Sequence, residues 1–201
     1  MFENRPYSAA AERNRNPILR VLEAWLPAGG GRVLEIGAGS GQHVRYFAEH
    51  LPEWHWQPSD HRDRLEDLER GLRGVDLPNL DSPVSLDVTG RWPGGEWDAV
   101  YSANTAHIMA WPAVCAMFEG VAESLRPDGR FFLYGPFRRD GRHHAQSNAD
   151  FDATLQARPG GMGVRDFADL DRLAQPLGFE RVAELEMPAN NHMLIFERRE
   201  S

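Results

Sequence analysis

The stretch VLEIGAGSGQH, from Val33 to His43, places Gly37, Gly39 and Gly41 directly after a short apolar run. Glycine reaches positive φ without steric cost and carries no Cβ. A strand that ends in such a turn and runs into a helix offers backbone to something that must come close. The first turn of the helix adds unpaired amides at the same point. This stretch dictates a strand–turn–helix unit, and it restricts the chain to folds that contain one.

The same alternation continues along the chain. Helical spacing of Ile18, Val21, Leu22, Trp25 and Leu26 predicts a helix opening at Asn16-Pro17 and stopped by Pro27 and the glycines after it. Strands are expected at Arg32–Ile36, Trp54–Gln57 (ending at Ser59-Asp60), Val84–Val88, Trp97–Ser102 and Arg130–Tyr134. Helices fall between them, at about Gly41 to Leu51, around Leu65, Leu68 and Leu72, and from Pro112 to Leu125, before a turn at Arg126–Gly129. A polar segment follows, then a helix around Val164 to Leu177 ended by Gly178. Two last strands, Arg181–Met187 and His192–Arg198, are joined by so short a loop that they must pair antiparallel. The expected architecture is α/β: a doubly wound, mostly parallel, seven-stranded sheet with helices on both faces and a C-terminal antiparallel hairpin.

Length and charge narrow the class. The chain has 201 residues, which fits a single domain, with residues 1–28 as an N-terminal helical extension. A net charge of -8 argues against a protein built to grip nucleic acid. No apolar run nears the roughly 20 residues a bilayer requires, and the opening residues hold no secretory h-region. Cys115 is the one cysteine, so the chain cannot form an internal disulfide. A cytoplasmic protein is the expectation. The histidines lack metal-ligand spacing, and no G-x-S-x-G elbow is present, so no metal is expected and hydrolase chemistry is unsupported.

Two nucleotide cofactors suit a glycine turn of this kind. A dinucleotide site wants G-x-G-x-x-G, but Gln42 stands where the third glycine would be. Glu35, two positions before the first glycine, would repel a pyrophosphate and favour an ammonium or sulfonium. In open α/β sheets ligands bind beyond the carboxyl ends of the strands. Asp60 and Asp87 both stand at predicted strand ends.

Glu35 to Gly41, EIGAGSG, resembles the E/D-x-G-x-G-x-G signature of class I S-adenosylmethionine-dependent methyltransferases, and the order of elements is similar over nearly the whole chain. The resemblance implies a Rossmann-like methyltransferase fold and S-adenosylmethionine as cofactor. It implies that Glu35, Gly37, Gly39 and Gly41 hold the methionine end, Asp60 the ribose hydroxyls, and Asp87 with Val88 the adenine. The segments AERNRNPIL, WQPSD, SANTAHIMAW, FFLYGPF and NNHMLIF, with the stretch around Asn148 to Asp152, also resemble a narrower family, that of methyltransferase-like protein twenty-six.

In that superfamily the nucleophile lies by the loop after the fourth strand, here Ser102 to Met109. The loop lacks the Asp/Asn-Pro-Pro-aromatic signature of enzymes acting on amino groups of nucleic acid bases or glutamine. It offers Asn104 to orient a polar group and touch the cofactor, and His107 as a base near neutral pH. The alternative for His107 is a core histidine bonded to a carbonyl. Glu12, Arg13, Asn14, Tyr134 and Asn191 are expected in the substrate pocket. The basic run Arg138 to His144 is either a solvated loop or an anchor for an acidic substrate. The resemblance implies methyl transfer to an oxygen or nitrogen of a small molecule. A non-catalytic binding module on the same fold and, less favoured, an NAD-linked oxidoreductase are the alternatives. The sequence says nothing of oligomeric state.

Overall fold

The computed structural model describes residues 5–199; the first four residues of the expected N-terminal extension lie outside them. In chain order the elements are α1 (Ala9–Trp25), β1 (Gly31–Ile36), α2 (Gln42–His50), β2 (Trp54–Asp60), a 3-10 turn (Arg62–Arg64) and α3 (Leu65–Leu72). Next come β3 (Val84–Ser85), β4 (Trp97–Ala103), α4 (Trp111–Ser124) and β5 (Leu125–Gly135). The remainder is β6 (Phe137–Arg139), β7 (Arg142–His143), α5 (Gln146–Gln156), β8 (Arg165–Asp166), α6 (Phe167–Ala174), a second 3-10 turn, β9 (Phe179–Met187) and β10 (Asn191–Arg198). Seven strands form a mostly parallel sheet in the order β3-β2-β1-β4-β5-β10-β9, and β9 and β10 pair antiparallel. A second sheet of three short strands has the order β7-β6-β8. The chain divides into two compact units, one running to Tyr101 and the other starting at Ser102.

In the first unit, β1 is buried at four successive positions, Val33 to Ile36, the mark of a strand covered on both faces. It pairs parallel with β2, which sets Glu35 opposite Pro58 and Ile36 opposite Ser59. The amides of Gly37 and Ala38 both bond the Ser59 carbonyl, so the glycine turn leaves the sheet at the end of β2. Helix α1 begins at Ala9, well before the expected start at Asn16-Pro17. The Ser8 hydroxyl accepts the Ala11 amide at 3.2 Å and caps the helix. Three alanines then favour it, and Pro17 is carried inside it for the loss of one backbone hydrogen bond. The third strand is also shorter than expected. Pairing of β2 with β3 stops at Ser85, because Asp87 turns the chain by accepting the Thr89 amide and hydroxyl.

In the second unit, α4 opens with Pro112 in its first turn and buries Val114, Met117, Phe118 and Val121. Phe118 packs edge-on against Phe131 and Phe196, which joins α4 to β5 and β10. Strand β5 starts at Leu125 rather than Arg130, and it carries Asp128 at φ 60 where a turn was expected. The polar segment after β5 is not a loop. Asp140 and Gly141, both at positive φ, turn β6 back into β7, and α5 follows.

Candidate functional site

The glycine turn holds its three glycines for different reasons. Gly41 is the N-cap of α2 at φ 70, and a Cβ there would stand 2.7 Å from Leu72 Cδ2, so this glycine serves packing against α3. Gly39, at φ 58, would meet nothing within 4 Å. Its backbone faces open space, and its amide donates to Asp60 Oδ2 at 2.7 Å. Asp60 Oδ1 accepts the His61 amide, also at 2.7 Å. Each carboxylate oxygen keeps a second lone pair.

Glu35, at the end of β1, is 2% exposed, and its Oε2 has no hydrogen-bond partner among the described residues. Burial, and after it the nearby Asp60 charge, raise its pKa to about 8. The carboxyl is therefore mainly protonated at pH 7, where the sequence alone predicts a charged one. Asp87 is exposed; its hydrogen bonds with Thr89 hold its pKa below the ordinary value. Its Oδ2 lies 3.8 Å from His61 Nε2. Val88 beside it is buried.

Helix α1 is tied to the start of α2. Gln42 Oε1 accepts the Ser8 amide at 2.5 Å and the Ser40 hydroxyl at 2.9 Å, while its Nε2 reaches Glu12 at 3.5 Å. Glu12 also pairs with Arg15 at 2.6 Å. Asn14 is buried, with its Oδ1 2.7 Å from His43 Nε2, and His43 Nδ1 lies 3.2 Å from the Tyr101 hydroxyl. Burial pushes the His43 pKa down to about 4. The neutral ring thus donates to Asn14 and accepts from Tyr101. Arg13 is exposed.

The second unit holds its own constellation. Asn104 has φ 59, a left-handed conformation uncommon outside glycine, and its amide donates to the Tyr134 carbonyl at 2.9 Å. A Cβ on Gly135 would stand 3.6 Å from His107 Nδ1 and 4.0 Å from Asn104 Oδ1, so both side chains border Gly135. His107 is 6% exposed. Burial, and then the Arg165 charge, lower its pKa to about 4, with Asp152 opposing. Its carbonyl accepts the Gly163 amide. Its ring lies edge-on to Phe151 and has no hydrogen bond among the described residues. Separately, Asn191 Nδ2 donates to the Tyr134 hydroxyl at 3.1 Å. Among the described residues, no group of three or more His, Cys, Asp or Glu could hold a metal ion, and no helix is long and apolar enough to cross a membrane.

The sequence profile of one family, described as a protein of unknown function (DUF938), matches residues 5–198. The chain belongs to the DUF938 family. Its fold is similar to that of an O-methyltransferase family 2 protein from Planctomyces limnophilus, solved with apigenin, at a TM-score of 0.81 and 16% identity; the match covers 94% of this chain and 57% of that one. An O-methyltransferase family protein from Burkholderia thailandensis matches at a TM-score of 0.80 and 16% identity over 96% of this chain and 58% of its own. PigF, solved with SAH, matches at 0.75 and 16% identity over 90% and 54%. This DUF938 chain thus spans little more than half the length of the proteins whose fold it shares.

Several residues of the candidate site carry little or no signal in the sequence. Gln42 replaces the third glycine of a dinucleotide motif, yet it anchors α1. His43 gives no sign of its role, because a histidine in an amphipathic helix carries no local signal of burial. Asp152 is equally silent. It is buried on α5, where Oδ1 accepts the Val164 amide at 2.7 Å and Oδ2 lies 3.0 Å from Gln156 Nε2 and 3.2 Å from His143 Nε2. Arg165 donates to the carbonyls of Ala106 and Met109, on either side of His107. One signal was available: Asp140-Gly141 is a two-residue hairpin turn, and it marks β6 and β7 within the polar run.

Proposed function

We propose that this DUF938 member is an S-adenosylmethionine-dependent methyltransferase acting on an oxygen or nitrogen of a small molecule, in the cytoplasm, and akin to the methyltransferase-like protein twenty-six family. The observation that carries the proposal is Gly39: a φ-positive backbone over open space, with a buried carboxyl lacking a partner at the end of the strand that leads to it. That arrangement fits an adenosine derivative ending in an ammonium. Glu35 Oε2 would accept the ammonium, Gly37 to Gly41 would border the cofactor, Asp60 would take the ribose hydroxyls on its remaining lone pairs, and Asp87 with Val88 would meet the base. The fold shared with PigF, solved with SAH, supports the cofactor, and the relative solved with apigenin supports a small acceptor.

When bound, the cofactor supplies a methyl group on a sulfonium, already activated for displacement. The chain then has to orient the acceptor, which contributes roughly 7–11 kcal/mol in well-aligned systems. Asn104 would hold the acceptor's polar group. His107, neutral at pH 7, would take its proton. Tyr134 and Asn191 would border the acceptor; Glu12, Arg13 and Asn14 are proposed as substrate residues of the first unit. Gln42 disfavours an NAD-linked reading, because its amide is engaged with Ser8 and Ser40 rather than leaving a bare backbone.

Calorimetry with S-adenosylhomocysteine in two buffers of different ionisation enthalpy tests the proposal. An ammonium set against Glu35 lowers its pKa, so binding at pH 7 should release close to one proton. Tighter binding of NAD than of S-adenosylhomocysteine, or binding without proton release, would overturn it.

A further inference from the structure

The second unit contains a groove of about 540 Å³ between α4 and α6 that shares no residue with the sites above except Arg165. Its walls are Trp111 and Cys115 from α4, Arg172 and Leu173 from α6, and Arg138 and Arg165. Three guanidiniums thus face one groove on a chain whose net charge is -8. The single lining carboxylate, Asp169, is paired with Arg172.

The other two arginines are poorly compensated. Arg165 spends its Nε and Nη2 on the carbonyls of Ala106, Met109 and Gly161, which are dipoles rather than charges. Arg138 reaches Asp152 only at 4.0 Å, and that carboxylate already serves Val164, Gln156 and His143. The Nε of Arg138 is buried with no acceptor among the described residues. Burial lowers the Arg165 pKa; Asp152 opposes this, Arg138 adds to it, and Asp169 and Cys115 oppose it more weakly. Two half-covered like charges beside an orphaned donor are costly unless an anion joins them. Guanidiniums match the two oxygens of a carboxylate or phosphate. Trp111, 36% exposed, and Leu173 supply an apolar wall beside them.

We propose that this groove binds a small organic oxyanion carried on a flat apolar group, with Arg138, Arg165 and Arg172 on the anion and Trp111 against the ring. The site goes beyond the methyl-transfer reading and does not rest on it. Its occupant touches the arginine that holds the two carbonyls flanking His107, so occupancy would be felt in that loop.

Cys115 provides the readout, because it lines the groove and is the chain's one cysteine. The rate at which neutral iodoacetamide labels it would be followed by mass spectrometry with benzoate, phenyl phosphate, benzyl alcohol or potassium chloride, at matched ionic strength. Benzoate, phenyl phosphate or both should slow labelling severalfold, and whichever does so names the oxyanion. Calorimetry should show that Arg138→Gln or Arg172→Gln weakens that ligand by about tenfold, the value of one charge-assisted contact. Arg172 is exposed, so its variant tests the site even if Arg138→Gln fails to fold. Protection no greater than that given by potassium chloride, equal protection by benzyl alcohol, or unchanged affinity in every folded variant would overturn the proposal.

Discussion

Glu35 and His107 are both buried, and both are neutral at pH 7, yet they come to this by different routes. Glu35 sits at the end of a strand, and the backbone around it is set locally: the glycines that follow, the parallel pairing with β2, and the Asp60 contact with Gly39. His107 sits in a loop whose shape is held from a distance. Arg165 grips the carbonyls on either side of it, Gly163 bonds its own carbonyl, and Asp152 fixes Val164 beside them. A carboxyl kept neutral next to an open glycine is suited to receive a cation. An imidazole kept neutral, with its ring free of hydrogen bonds among the described residues, offers an unprotonated ring nitrogen at pH 7, a weak base for as long as burial holds its pKa near 4. On the proposed function the first region would serve binding and the second chemistry, and substitutions should separate the two.

The sharpest separation is expected from Gly39→Val. A β-branched residue at φ 58 is strained and fills the space above the turn. Calorimetry should show affinity for S-adenosylhomocysteine reduced by about a thousandfold, near 4 kcal/mol, with cooperative unfolding retained. His107→Ala should do the reverse, lowering turnover by about a hundred- to a thousandfold once an acceptor is found while leaving cofactor affinity within about twofold. If both variants lose affinity alike, the division between the regions fails. Asp152→Ala should cost about 3 kcal/mol in urea unfolding, because it orphans the Val164 amide, removes the carboxylate beside Arg138 and takes a hydrogen-bond partner from Gln156.

Glu35→Gln probes the binding region through pH. The folded pKa lies above the ordinary value, so the contribution of Glu35 to stability is complete below about 4.5 and is lost as pH rises through about 8. The ligand-free variant should therefore gain on the parent by about 4 kcal/mol between pH 5 and 8.5, read by thermal unfolding. His107 and His43 carry the opposite sign. Their pKa values are lowered to about 4, so their contribution is complete above 6.5 and fades as pH falls towards 4. An unchanged difference between the two proteins across this range would show that Glu35 is ionised in the fold. The smallest effect is expected for Asn104→Gly, which relieves the left-handed backbone and should stabilise the protein by about 0.5 kcal/mol, while lowering turnover.

Much of the parallel core was legible from local pattern. The run Val33 to Ile36, the glycines after it, and Gly178 as a helix stop all announce themselves within a few residues. The failures share one trait. Helix α5 has no apolar stripe; it is held by Asn148, which bonds the Asn190 carbonyl at 2.9 Å, and by Asp152, so hydrophobic periodicity could not reveal it. The start of α1 was hidden because a proline within the helix reads as a first residue.

Backbone permission and apolar spacing are short-range properties, written into neighbouring residues. They suffice for the strand–glycine–helix unit, for most of the parallel order and for the final hairpin. The protonation of Glu35, the use of Gln42 to hold Ser8, the hub at Asp152 and the facing arginines around Trp111 depend instead on desolvation and on charges summed over residues far apart in the chain. Those quantities exist only after the chain has folded.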